Sequence, residues 1–158
     1  MNNQEIARHK QRLDALFDKS SLLPQEDEIL AHWARYLCIQ VSGFLEVSIK
    51  TIYREYAKNT SAPNIQNYVT KQLSNFQNPT SGKISDLVGS FNPEWKRELN
   101  DIIEGEIKAS IDSIVNIRNK VAHGEDSGIR LSTIKNYYEN AVKLIFFLEN
   151  QCNRGTKG

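Results

Sequence analysis

Arg118-Asn119-Lys120-Val121-Ala122-His123-Gly124 is where this chain concentrates its chemistry: a guanidinium, a carboxamide and an imidazole within a turn and a half of helix. A guanidinium is a permanent cation whose fork matches phosphate oxygens, and an imidazole titrates near neutral pH. Together they suit phosphodiester chemistry, with the carboxamide as an orienting group. At about 100° per residue, Asn119 and His123 share a helix face, and Arg118 lies roughly 140° around from His123. Its long side chain must reach across to meet the imidazole. The set falls on the last helical turn, where carbonyls carry partial negative charge. That end, with Glu125 and Asp126, favours a protonated His123, and Arg118 opposes. An imidazole titrating close to neutral, suited to proton transfer, is the expectation.

Cutting RNA internally without a metal requires three things of such a site. The ribose 2′-hydroxyl must be deprotonated, the phosphorane charge stabilised and the leaving 5′-oxygen protonated. One imidazole covers one proton transfer at a time, and His9 and His32 lack comparable neighbours in the sequence. A two-fold dimer apposing two copies of the motif would supply two imidazoles and two guanidiniums around one phosphate. The same spacing also arises as plain helix punctuation, with an arginine capping carbonyls and a histidine ahead of a C-terminal glycine.

The elements that must position these groups read as helices throughout. Ile6, Leu13, Leu16 and Phe17 recur at helical spacing from about Asn3 to Phe17. Pro24, followed by Gln25, Glu26, Asp27 and Glu28, starts a very long helix whose apolar stripe runs from Ile29 to about Ala57, with Gly43 as a candidate bend. Pro63 opens a third helix, and a short one spans Lys83 to Val88. After Asn92-Pro93 a helix begins at Glu94, loosens near Gly105 and continues to His123, where Gly124 stops it. Ser132 is the expected cap of a last helix carrying Ile134, Tyr138, Ala141, Leu144 and Leu148. With no strand alternation and no repeat, the fold class is an all-α helical bundle.

The chain's 158 residues suffice for one domain, taken as residues 1–152 with 153–158 as a flexible tail. Hydrophobic residues at 39% and charged residues at 25% mark a soluble globular composition rather than a disordered one. No apolar run approaches the roughly 20 residues of a membrane span, and Met1-Asn2-Asn3-Gln4-Glu5 lacks the features of a signal peptide. A cytoplasmic location follows as an expectation. Two cysteines are too few for a disulfide framework, so Cys38 reads as a buried thiol and Cys152 as one in the C-terminal tail. The net charge of +1 gives no global pull on nucleic acid, but its distribution is uneven. Residues 83–112 carry −3 and residues 113–158 carry +3, so the motif sits in the basic part. Asp101, Glu104, Glu106 and Asp112 lack the Glu-x-x-His partners of a di-metal bundle, and no Gly-rich phosphate loop is present. Neither metal nor cofactor is expected. Trp33, Trp95 and Phe146-Phe147 read as core or dimer interface.

Arg118-Asn119-x-x-x-His123 at a helix end, in an all-α domain of this size, resembles the Arg-x4–6-His signature of the HEPN superfamily, and the RiboL-PSP branch most closely. The resemblance covers nearly the whole chain. It is carried also by Arg35-Tyr36-Leu37-Cys38 through Ser42-Gly43-Phe44-Leu45-Glu46, by Phe76-Gln77-Asn78-Pro79 and by Gly89-Ser90-Phe91-Asn92-Pro93-Glu94-Trp95. It implies a metal-independent endoribonuclease that acts as a homodimer, in the manner of toxins and defence or stress effectors, with a cognate antitoxin or inhibitor protein among its partners. Arg118 would stabilise the scissile phosphate, His123 would be general acid or base, and Asn119 would orient the imidazole or a ribose hydroxyl. Lys120, Lys50, Arg54 and Arg130 would extend an RNA track, each equally readable as a solvated cation. The alternative implied by the same resemblance is a non-catalytic module that binds RNA, nucleotide or a partner protein.

Overall fold

The longest apolar stripe in the sequence becomes the axis of the molecule. In the computed structural model, which describes residues 1–157, α2 (Asp27–Thr60) is one helix of 34 residues, unbroken through Gly43. Thirteen of its residues between Ala34 and Ala57 are buried. They pack against α1 (Gln4–Ser20), α3 (Pro63–Ser74), α6 (Glu106–Ala122) and α7 (Leu131–Gly155), while α4 (Ser81–Phe91) and α5 (Pro93–Ile103) form a pair leaning on α6. Every element among the described residues is a helix. Burying a side chain such as Phe44 or Leu45 contributes about 1.5–3 kcal/mol, so a helix with this many inward residues anchors the bundle.

Local chemistry sets the ends. Asn3, Thr80 and Asn92 each accept a backbone N–H from the first turn of their helix, and Pro63 and Pro93 occupy first positions where no N–H is needed. The expected single helix from Glu94 to His123 is instead two. Gly105 adopts φ +92°, ψ −119°, a conformation closed to side-chain-bearing residues, and the chain turns there between α5 and α6. Ser81 ties α4 onto α6: its N–H and hydroxyl both donate to the Asp112 carboxylate at 2.8 and 2.9 Å. Asp112 therefore serves as a structural acceptor.

Ring contacts fix the direction of the long helices. Phe44 meets Tyr138 at 5.9 Å, and further along Ile52 and Tyr56 share a cavity with Cys152 and Asn153, so α2 and α7 run the same way. Their N-termini lie at one end of the bundle, the end at which α6 finishes before the Asp126–Arg130 loop leads into α7. Trp95 is buried, Trp33 and Phe147 are partly buried against the core, and Phe146 is half exposed.

The C-terminal boundary corrects one expectation. α7 continues to Gly155, taking in Asn153 to Gly155 of the expected tail, and Gly158 lies outside the described residues. Cys152 belongs to this helix and is 4% exposed; its side chain completes the apolar face after Leu148. Burial pushes both the Cys38 and Cys152 thiols up to about 12. At pH 8 neither thiol should react quickly with a disulfide reagent until the chain is unfolded, when both should titrate; one fast thiol in the folded protein would contradict this packing.

His9 lies edge-on to Phe44 at 5.3 Å, and burial, then Arg12, lower its pKa below 6.5, with Glu5 opposing. Its folded form resists protonation, so its contribution is present above about pH 6.5 and is lost as pH falls, because the unfolded chain takes up the proton first. Urea midpoints for wild type should drop between pH 7 and pH 5, and His9→Gln should shrink the drop. An identical drop in the variant would show that His9 plays no part in it.

Candidate active site

α6 presents the motif through its own ending. Ile111, Ile114, Val115 and Ile117 bury one face of the helix, and the Cys38 thiol donates to the Ile114 carbonyl at 3.7 Å, locking α6 to α2 one turn before Arg118. At the end, Gly124 takes φ +71°, its N–H donates to the Val121 carbonyl (3.1 Å) and the Glu125 N–H to that of Lys120 (2.9 Å). This pair of hydrogen bonds back into the helix is a Schellman stop, and it makes His123 the last residue with near-helical geometry. The His123 N–H donates to the Asn119 carbonyl at 3.1 Å, so the expected i, i+4 relation is present in the backbone.

The side chains of the motif separate into two groups. Arg118 is half-buried, and its Nη1 donates to Asn119 Oδ1 at 3.5 Å, the outer limit of a hydrogen bond. Asn119 is exposed and therefore stands beside the guanidinium. His123 is exposed at the helix cap, and among the described residues no side chain is hydrogen-bonded to its imidazole. Lys120 is half-buried one residue on. A guanidinium and an unengaged imidazole on the last turns of one helix can grip an anion and move a proton. The imidazole is open to solvent, and the guanidinium is half-buried beside Asn119.

The other cations of the expected RNA track do not gather here. Lys50 donates to Glu46 Oε1 at 2.9 Å, and Glu46 Oε2 accepts the Asn78 N–H at 2.9 Å, so this pair fastens the loop before α4. Lys50 also stands roughly 18 Å along α2 from Cys38, at about 1.5 Å per residue, toward the opposite end of the bundle. Arg54 is exposed one turn further still. Arg130 differs: it is the exposed N-cap residue of α7, at the motif's own end. Ser132, expected as that cap, instead lies inside the first turn, and no side chain caps α7.

His32 and Arg35 complete this end of the molecule. Arg35 Nη2 lies 2.7 Å from His32 Nδ1, and His32 Nε2 lies 3.9 Å from Glu28 Oε1. Arginine only donates, so Nδ1 accepts. His32 thus has the charged neighbours that its place in the sequence did not suggest. The signal was there in form, since Glu28, His32 and Arg35 stand at i, i+4 and i+7 of one helix. Among the described residues no three His, Cys, Asp or Glu side chains are grouped as around a metal ion. No helix among them is long and apolar enough to cross a membrane.

Compared with known proteins, the chain is matched over residues 2–154 by the sequence model of the RiboL-PSP-HEPN family. No curated protein and no solved structure matches it.

Because Gly124 holds the stop in a left-handed conformation, Gly124→Ala should cost about 1 kcal/mol. In a chain of this size that lowers the melting temperature by about 2–4 °C. A melting curve identical to wild type would show that the stop does not depend on glycine.

Proposed function

The chain belongs to the RiboL-PSP-HEPN family, and from that membership and the geometry of the motif we propose that it is a metal-independent endoribonuclease. The observation that carries the proposal is the pairing, on one stopped helix end, of a half-buried guanidinium with an exposed, unengaged imidazole. HEPN modules are often ribonucleases. Here the residues for phosphate binding and proton transfer stand where an RNA strand can reach them.

In the proposed reaction an imidazole accepts the 2′-hydroxyl proton as the 2′-oxygen attacks phosphorus. The bond to the 5′-oxygen breaks, and that oxygen takes a proton from a second imidazole. The products are a 2′,3′-cyclic phosphate and a 5′-hydroxyl. Arg118 stabilises the phosphorane charge; stabilisation of developing charge is usually the largest single contribution to such catalysis. Asn119, beside the guanidinium, holds it or a ribose hydroxyl in register. Two proton transfers call for two imidazoles, so the active form is a two-fold dimer with one His123 from each copy. A role as toxin or defence effector, restrained by a cognate inhibitor protein, extends the same proposal. Without a second proton carrier at the motif, a single copy would hold RNA rather than cut it; that is the competing reading.

With chelator present throughout, purified wild type should cleave RNA, and His123→Ala and Arg118→Ala should each slow it about a hundredfold or more. Equal cleavage by wild type and His123→Ala would assign the activity elsewhere. Loss of cleavage in chelator with return on added magnesium would overturn the metal-free mechanism.

A further inference from the structure

Just past the motif in the chain, the Asp126–Ser132 segment that follows the Gly124 stop forms one wall of a groove of about 760 Å³, whose other walls are the α1–α2 turn and the first turns of α2. Two guanidiniums line it, from Arg35 on α2 and Arg130 at the start of α7. They come from separate elements and converge only in the fold. Arg35 spends one donor on His32, leaving the rest of its fork free. Ser127 also lines the groove, and its hydroxyl is buried with no hydrogen-bond partner among the described residues, a donor that lacks an acceptor. The uncapped first turn of α7 borders the same space with Leu131 and Ser132, and that turn contains no acidic residue to answer its dipole. Two carboxylates are present as well. Asp126 Oδ1 accepts the Gly128 N–H at 3.1 Å, and Asp27 sits in the first turn of α2, where it answers that helix's own dipole. The formal charges of the lining balance, two guanidiniums against two carboxylates, and what the groove offers a ligand is donors: the free part of the Arg35 fork, the Arg130 guanidinium and the Ser127 hydroxyl.

We propose that this groove binds a phosphodiester of a single nucleic-acid strand, with Arg35 and Arg130 as the gripping pair. It then serves as the subsite for the nucleotide next to the one acted on at the motif. The lining of the groove begins at Asp126, two residues past Gly124, which puts one wall of it within three residues of His123 along the chain. This assignment rests on the nuclease reading for its purpose but not for its chemistry, since the groove holds a strand whether or not the strand is cut. Arg35 and Arg130 bind the strand and take no part in proton transfer.

The test uses a labelled single-stranded oligodeoxynucleotide, which has no 2′-hydroxyl and survives an active nuclease of this type. Anisotropy titrations at several salt concentrations, in chelator, compare wild type with Arg35→Ala, Arg130→Ala and Lys58→Ala. Lys58→Ala removes the same charge from an exposed site at the far end of α2. Wild type should bind, and each arginine variant should lose about tenfold in affinity, as expected for one charge-assisted contact. Each should also flatten the dependence of log affinity on log salt by about 0.7 unit, the share of one phosphate contact on a single strand. Lys58→Ala should bind as wild type does, and Arg35→Lys should recover part of the affinity. No binding by wild type, or arginine variants that bind and respond to salt as wild type does, would overturn the subsite. An affinity lost equally with a mononucleotide phosphate as ligand would reassign the groove to a free nucleotide and overturn the strand subsite. Groove and nuclease fail in different ways: affinity lost with no RNA cut by any protein leaves the groove and removes the nuclease, and RNA cut by Arg35→Ala and Arg130→Ala at the wild-type KM does the reverse.

Discussion

Burial of one side of α2 along nearly its whole length is the constraint on which the rest of this molecule depends. Because α1, α3, α6 and α7 all pack on that helix, its course decides which of their ends come together. Cys38 meets the backbone of α6 at Ile114, and from that contact the last turn of α6 projects as a rigid extension of the core. The imidazole of His123 is solvent-exposed, yet its backbone is fixed by the buried face behind it and by the stop in front. A surface site built on a supported helix end is more precisely placed than one on a free loop.

The same constraint brings two arginines from distant parts of the chain to one end. α2 and α7 run in the same direction, so Arg35 and Arg130 line one groove at one pole of the bundle, and the Asp126–Ser132 wall of that groove follows the end of α6 in the chain. Toward the opposite pole two carboxylates are committed to structure. Glu149 accepts the N–H groups of Asn2 and Asn3 at 2.9 and 2.7 Å, and Glu46 holds both Lys50 and the Asn78 N–H. Charges thus have different standing at the two poles. Glu46 and Glu149 hold the fold, whereas the Arg35 and Arg130 guanidiniums line the groove.

Much of this was legible in the chain. Apolar spacing marked the helices, proline and capping side chains marked most of their starts, and Arg118, Asn119, His123 and Gly124 marked the motif by type and distance alone. The rest turned on facts that one-dimensional patterns do not carry. Gly105 looked like a soft point because apolar spacing resumes after it, but its φ of +92° makes it a break. Ser132 has the chemistry of a cap and lost that place by two residues, a shift of the size by which helix ends ordinarily vary. Cys152 follows polar neighbours and still falls on the buried stripe of α7. Lys50 reads as a free cation until Glu46, four residues earlier, is seen to hold it. Arg35 was hidden for a different reason: nothing along the sequence places residue 35 beside residue 130, and only the packing of α2 with α7 does so.

Phosphodiester cleavage by attack of the ribose 2′-oxygen, driven by side chains alone, is the central claim. Mass spectrometry of the RNA ends left by the purified protein in chelator tests it most directly. The expected ends are 2′,3′-cyclic phosphates on the upstream fragments and 5′-hydroxyls on the downstream ones. Fragments ending in 3′-hydroxyl and beginning with 5′-phosphate would contradict the claim, because they require water as the nucleophile and the opposite bond to break.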